Sequence, residues 1–372
     1  RSVTNIDGAE IRRISGVGRD DIDVVFGGAP CQGFSLIGRR ALDDPRNALV
    51  HHFVRLVLEL KPKYFVFENV RGLTVGGQKQ FLQEIISAFE ASGEYAVKNL
   101  YQVLNAADYG VPQDRRRLFL YGARNDQKLP NYPARSAPVT VWEAIGDLPE
   151  VEKIPKLLEQ DWVRKKFTSR TPYAQRMRGT ERDSSDFSYK RSYDFDVLTS
   201  SLRTAHSDLS KLRFSETACG KVESISRFLK LDPNGVCNTL RAGTASDHGA
   251  FTSPRPIHPV TPRCITVREA ARLHSFPDWF RFHTTKWHGF RQIGNSVPPL
   301  LAKAVASTII AELGVEPKRP TKTIRLGDSD FLSFTMSDAA QYFRVPFTTI
   351  PQRTRDYRRI VTVKAIASHD RY

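Results

Sequence analysis

The N-terminal third of the chain alternates between short apolar runs and longer stretches with helical periodicity. Residues 21–28, 63–70 and 116–124 have the β-branched and aromatic content of strands, whereas 46–60 and 78–92 repeat apolar residues at helical spacing. This alternation predicts an α/β fold with a doubly wound, mostly parallel sheet and helices on both faces. The last strands are expected to be antiparallel, which makes the sheet mixed.

Two helices are expected to turn one apolar face to that sheet. The core-facing residues predicted from the spacing are Leu49, Phe53, Leu56, Val57 and Leu60 in the first helix and Phe81, Leu82, Ile85, Ile86 and Phe89 in the second.

Chemically reactive side chains follow two of the predicted strands. Cys31 comes directly after Pro30 at the end of the first strand, and Glu68 lies near the end of the second. Sheets of this kind bind ligands at the carboxyl ends of their strands. An isolated cysteine is most often a small core residue. The neighbouring Gly28 and Gly33 instead allow a ligand to approach the backbone closely, which favours a reactive thiol.

Three arginines follow Gln113 at the entry to another predicted strand. Alternate residues of a strand share a face, so Arg115 and Arg117 are expected to point the same way. A solvated surface is the usual role of such a run. Close to a reactive thiol, the pair could instead bind an anionic or carbonyl-rich ligand.

The overall charge favours a polyanionic partner. Lys and Arg number 56 and Asp and Glu 40, so the net charge is +16.

The four cysteines form no CxxC pair, which argues against a zinc site or a disulfide scaffold and for a reducing compartment. No metal site is predicted, and His206, His248, His258 and His274 are expected at the surface or facing a nucleic acid. No membrane-spanning run of about 18 apolar residues is evident.

Five ordered motifs resemble those of the DNA (cytosine-5) methyltransferases. They are GGAPCQGFS, FENVRGL, GVPQDRRRLFLYGAR, RCITVREAARLHSFPDWF and QIGNSVPPLLAKAV. The resemblance is close over about 20–125 and 236–312. It implies a Rossmann-like methyltransferase fold with a smaller, mostly β target-recognition domain.

The resemblance assigns four catalytic residues. Cys31 matches the thiolate that adds to C6 of cytosine, which makes C5 nucleophilic. Glu68 matches the glutamate that hydrogen-bonds N3 and the exocyclic amine, and Arg117 the residue that contacts O2. Arg115 matches the arginine that supports the loop and the region of the nucleophile.

The resemblance also implies S-adenosylmethionine as cofactor and double-stranded DNA as partner, with the target cytosine flipped out of the duplex. Candidate cofactor contacts are Pro30, Asn295 and Val297, and candidate DNA contacts are Gln32, Ser35, Arg39, Gln113, Thr239 and Leu240. A modification enzyme in the cytoplasm of a prokaryote, accompanied by a cognate restriction endonuclease, is the expected setting.

The predicted organisation has four parts. Residues 1–125 form the catalytic α/β domain, 126–260 the target-recognition domain, 261–314 a return to the catalytic domain and 315–372 a basic extension. The family's Phe-x-Gly-x-Gly motif is not found upstream of Cys31, so the catalytic domain is expected to be N-terminally incomplete. The alternatives are a DNA-binding subunit of a split methyltransferase that is inactive alone and needs a second subunit, and a cysteine-based redox or hydrolytic enzyme.

Overall fold

The central feature of the computed structural model is a five-stranded sheet with helices on both faces. The structure describes residues 2–30, 48–76, 78–97, 101–243 and 255–349. The strands are Val24–Gly27 (β1), Tyr64–Val70 (β2), Tyr95–Val97 (β3), Gln102–Asn105 (β4), Arg116–Arg124 (β5), Val163–Arg164 (β6), Lys190–Ser192 (β7), Val197–Leu198 (β8) and Thr323–Arg325 (β9).

The helices are mostly short and are distributed along the whole chain. They are Gly8–Ser15 (α1), Ala48–Leu60 (α2), Gln78–Glu90 (α3), Val141–Ile145 (α4), Pro172–Arg178 (α5), Asp208–Glu216 (α6), Val267–Leu273 (α7), Lys286–Asn295 (α8), Pro299–Glu312 (α9) and Met336–Tyr342 (α10). Single 3₁₀ turns occupy Arg71–Thr74, Ala106–Tyr109, Val151–Lys153, Pro155–Leu158, Ser329–Ser333 and Phe347–Thr349.

The sheet is mixed, as predicted. Its order is β1-β2-β5-β3, and β4 also pairs with β5. Among the described strands of this sheet, the β1–β2 pair alone is parallel, whereas β5 runs antiparallel to β2, β3 and β4. The expectation of a mostly parallel sheet is therefore wrong for the described strands, because one long strand, β5, pairs antiparallel with three others.

Alternation along β2 separates the two faces of the sheet. Phe65 and Phe67 pack with α2 and α3, and the five core positions predicted for α3 are all buried there. Tyr64 and Val66 face the other way and pack with α9. In α2 the prediction for Leu49 is wrong, since this side chain is 37% exposed while Val50 is buried.

The second predicted region contains less strand than expected. In the described part of 126–260, the short strands β6 and β8 pair with each other, and β7 pairs with β9 of the C-terminal extension. The three helices here, α4, α5 and α6, contain more residues than the three strands, so the prediction of a mostly β region is wrong for these residues. Several backbone carbonyls in this region accept hydrogen bonds from arginine side chains and not from a neighbouring strand. Arg178 donates to the carbonyls of Phe167 and Phe195, and Arg268 donates to that of Thr199.

The helices that follow return the chain to the sheet. A capping box between Thr266 and Glu269 begins α7, as the sequence predicts, although the helix ends at Leu273 rather than at Pro277. Pro299 begins α9. The stretch Lys286–Glu312 is apolar and long enough to cross a membrane on length and composition, a test that core helices also pass. It consists of the separate helices α8 and α9, and α9 packs on the sheet.

Candidate active site

Glu68 and Arg117 meet at the carboxyl end of β2. Val70 is opposite Arg117 and Glu68 is opposite Phe119 in the β2–β5 register, so Glu68 and Arg117 are diagonal neighbours on one face. Arg117 Nε lies 3.2 Å from Glu68 Oε1, with both side chains less than one fifth exposed. The sequence predicted that both residues serve one site, and the structure brings them together.

The surroundings of Glu68 favour its protonated form more than water does. Burial raises the pKa of this carboxyl group, and the nearby Arg117 and Arg115 only partly oppose that effect. A glutamate that keeps a proton nearer to neutral pH can donate it to a ring nitrogen and take it back.

The backbone that leads into Cys31 runs past Glu68. A Cβ added to Gly28 would lie 2.8 Å from Glu68 Oε2, so the glycine lets the backbone pass close to this carboxylate. The buried Asn69 donates from Nδ2 to the carbonyl of Ala29 at 3.0 Å. Asn69 thereby fixes the segment just before Cys31, a role that no local sequence pattern indicated. Cys31 itself and the predicted DNA contacts Gln32, Ser35 and Arg39 lie outside the described residues.

Arg115 is buried and links segments that are far apart in the chain through hydrogen bonds. Its guanidinium donates to the carbonyl of Leu240 at 2.9 Å, of Gly294 at 2.8 Å and of Ser296 at 2.9 Å. The side chain is 1% exposed, and burial together with Arg117 lowers its pKa. A Cβ on Gly294 would come within 2.3 Å of the Arg241 backbone, so these segments touch directly.

Gln113 and Leu240 are interior residues, which corrects their prediction as DNA contacts. Gln113 is 0% exposed, accepts from the Leu240 N–H and donates to the Leu273 carbonyl, so its amide is engaged within the protein. The Leu240 side chain is 1% exposed in the core around α7. Thr239 is half-buried and donates its hydroxyl to the Asp114 carbonyl at 2.6 Å. The Thr-Leu motif at 239–240 therefore packs against the segment at 113–114, and its neighbours Asn238 and Arg241 are exposed.

The three candidate cofactor residues differ in exposure. Pro30 and Asn295 are exposed, and Val297 is half-buried against the same core as Val24 of β1. On the same face of β1 as Val24, two residues further on, the Phe26 ring is 80% exposed. An exposed aromatic ring, a half-buried valine and a side-chain amide suit a ligand that has an aromatic ring, an apolar portion and polar groups. Phe26 is not among the residues predicted from the sequence, and it lies in β1 at the edge of the described sheet.

Two histidines are buried, contrary to the prediction. His258 is 5% and His274 0% exposed, and burial lowers the pKa of both. His206 is half-buried and accepts from the Cys264 N–H, and His248 lies outside the described residues. In the described part of the chain, no group of three or more His, Cys, Asp or Glu side chains could hold a metal ion.

Comparisons with known proteins agree on one family. The model of the C-5 cytosine-specific DNA methylases matches residues 2–311. Type II methyltransferase M.XorII of Xanthomonas oryzae pv. oryzae is 61% identical over 355 residues, which cover 95% of this chain and 84% of the relative. Type II methyltransferase M.DdeI of Desulfomicrobium norvegicum is 34% identical over 335 residues, covering 82% and 76%. A solved prophage-encoded E. coli protein, described as a DNA modification methyltransferase, has a TM-score of 0.68 and 32% identity and covers 85% of this chain and 86% of its own.

Proposed function

Because the chain belongs to the C-5 cytosine-specific DNA methylase family, we propose that Cys31, Glu68, Arg117 and Arg115 methylate a cytosine flipped out of double-stranded DNA. The observation that carries this assignment is the Glu68–Arg117 pair, which lies on the strand edge where the backbone enters Cys31. The chain is a DNA cytosine-5 methyltransferase of the prokaryotic modification type.

The reaction begins when the Cys31 thiolate adds to C6 of the target base. The new S–C6 bond moves the electron pair of the C5–C6 double bond through the ring to N3 and O2, and a proton from Glu68 neutralises N3. The resulting enamine carries its nucleophilic carbon at C5, which would bond to the methyl carbon of S-adenosylmethionine as that carbon's bond to the sulfonium sulfur breaks and S-adenosylhomocysteine leaves. A base then removes H5, and Cys31 leaves C6 as a thiolate, which restores the C5–C6 double bond. N3 returns its proton to Glu68, which is then ready for the next turnover.

Arg117 and Glu68 lower the barrier by binding the charge that develops on the ring. Arg117 is fixed by the strand register and by its contact with Glu68, so its donors face the site before the base arrives. Preorganised donors of this kind contribute about 3–4 kcal/mol each to transition-state stabilisation. Arg115 contributes indirectly, because its guanidinium donates to the backbone carbonyls of residues 240, 294 and 296 and so positions those segments.

S-adenosylmethionine, when bound, supplies an electrophilic methyl group to C5. The residues proposed to hold it are Pro30, Asn295, Val297 and, from the structure, Phe26. The exposed Phe26 ring can stack on an aromatic base, while the Asn295 amide can bind polar groups.

The region 126–260 is proposed as the target-recognition domain, with 1–125 and 261–314 as the catalytic domain and 315–372 as a basic extension. The net charge of +16 favours phosphate contacts, which offset the few kcal/mol needed to flip a base. Because the relatives are bacterial Type II methyltransferases, we further propose a cytoplasmic enzyme that acts beside a cognate restriction endonuclease.

The direct test is analysis of the methylated product. Incubation with S-adenosylmethionine labelled in its methyl group and duplex DNA of mixed sequence is followed by digestion to nucleosides. We expect the label in 5-methyl-2′-deoxycytidine. Label in N4-methylcytosine or N6-methyladenine would contradict the proposed function.

Glu68→Gln is expected to lower kcat/KM by about 10²–10⁴-fold, because the amide cannot supply a proton to N3. Burial raises the pKa of Glu68, and the protonated form is the active one, so wild-type kcat/KM should fall as the pH rises through that pKa. Steady-state rates over a range of pH measure both effects.

The residual activity of Glu68→Gln should lack this fall. The exposed Glu90→Gln at the end of α3 serves as the matched control and should retain wild-type rates. A Glu68→Gln enzyme within fivefold of wild type, or one with an unchanged pH profile, would refute the assignment.

A further inference from the structure

Two buried side chains, Arg115 and His274, bind the backbone carbonyl of Ser296. This carbonyl lies between two candidate cofactor residues, one at the end of α8 and one in the turn that follows. Ser296 lies between Asn295 and Val297, and its carbonyl accepts from Arg115 at 2.9 Å and from His274 Nε2 at 3.1 Å. A carbonyl oxygen has no proton to give. The proton of the His274 ring is therefore on Nε2.

The other ring nitrogen of His274 accepts a hydrogen bond. Gln113 Nε2 lies 3.0 Å from His274 Nδ1, and an amide nitrogen can only donate. Both ring nitrogens are thus engaged with opposite polarity, which requires a neutral imidazole. The ring is 0% exposed, and burial and the nearby Arg115 lower the pKa of His274.

His274 completes a continuous hydrogen-bond chain through the interior. The Leu240 N–H donates to Gln113, Gln113 donates to His274 and His274 donates to Ser296. The ring is also stacked on Phe276, with 5.8 Å between the ring centroids. The position of the ring is consequently fixed by Gln113, Ser296 and Phe276, and the hydrogen-bond chain ends at the Ser296 carbonyl.

We propose that His274 is a positioning residue for the cofactor site, acting through its Nε2–H on the Ser296 carbonyl. That bond fixes the peptide between Ser296 and Val297, which leads directly into Val297 and lies one residue after Asn295. The inference rests on the proposed function, because it takes these two residues as cofactor contacts.

Two conservative substitutions separate the two hydrogen bonds of the ring. In His274→Gln the side-chain amide nitrogen can take the place of Nε2 and donate to Ser296. In His274→Asn the side-chain oxygen can take the place of Nδ1 and accept from Gln113, but no donor reaches Ser296. The comparison keeps a polar side chain at this position in both variants.

Calorimetric binding of S-adenosylhomocysteine, measured without DNA, is the readout. We expect His274→Gln to bind within about twofold of wild type and His274→Asn to bind about threefold to tenfold more weakly, which corresponds to one hydrogen bond. The affinity of both variants for DNA alone, measured separately, should equal that of wild type.

Wild-type affinity in His274→Asn would overturn the proposal, as would an equal loss in both variants, since packing alone would then explain the effect. If the wild-type protein binds no S-adenosylhomocysteine, the proposed function fails and this inference fails with it.

A measurement on the wild-type protein covers the case in which a variant does not fold. Nitrogen NMR of the histidine rings should show His274 as the neutral Nε2–H tautomer and should show its Nε2 resonance shift on saturation with S-adenosylhomocysteine. A protonated ring, the Nδ1–H tautomer or an unmoved resonance would overturn the proposal.

Discussion

Cys31→Ala is expected to lose methyl transfer by on the order of 10⁴-fold or more, because an alanine side chain cannot form the bond to C6 that makes C5 nucleophilic. Binding to DNA should persist, since affinity comes mainly from phosphate contacts that the thiol does not make. Incorporation of labelled methyl groups into DNA measures the first effect, and gel-shift titration measures the second.

The matched control is Cys219→Ala, which removes an exposed free cysteine outside the site. This variant should keep wild-type rates. If Cys31→Ala retained a tenth of the wild-type rate, the nucleophile would have to be another residue.

Arg272→Met is expected to lower the free energy of unfolding by about 3–5 kcal/mol, a large part of the total for a typical protein. Arg272 is 0% exposed and binds Asp278 through two donors at 2.7 and 2.6 Å and Asp147 at 2.7 Å. Burial alone would raise the pKa of Asp278, but Arg272, together with Arg268 and Arg178, outweighs burial and lowers this pKa. Removing the guanidinium takes away the cation that binds Asp147 and leaves Asp278 with the more distant Arg268, at 3.7 Å. Urea denaturation followed by circular dichroism gives the change.

The same substitution at an exposed ion pair provides the control. Arg164 lies 2.5 Å from Asp194 with 67% of its side chain exposed, so Arg164→Met should change the free energy of unfolding by less than about 1 kcal/mol. Similar losses in the two variants would show that the Arg272 network does not stabilise the fold as argued.

The sequence predicted the features that depend on local pattern. The five apolar positions of α3 are buried because helical spacing alone places them on one face. The capping box of α7 is present because Thr266 and Glu269 are three residues apart. The placement of Glu68 and Arg117 in one site also followed from local pattern, because each lies at an end of a predicted strand. Their direct contact depends on the pairing of β2 with β5.

The features that the sequence missed depend on partners far along the chain. Gln113 is interior because it bonds Leu273 and His274, which are 160 and 161 residues away. No local pattern distinguishes such a glutamine from one that reads DNA. The same applies to His274, whose burial follows from the meeting of the segments at 113, 240 and 296.

Covalent trapping tests the central claim most directly. DNA of mixed sequence containing 5-fluorocytosine is incubated with the protein and S-adenosylmethionine, then denatured and separated by electrophoresis. Fluorine at C5 cannot be removed by the base, so Cys31 should stay bonded to C6. We predict a protein–DNA adduct that survives denaturation, depends on S-adenosylmethionine and is lost in Cys31→Ala. An adduct that persists in Cys31→Ala, or DNA that acquires methyl groups without any trapped adduct, would contradict the mechanism.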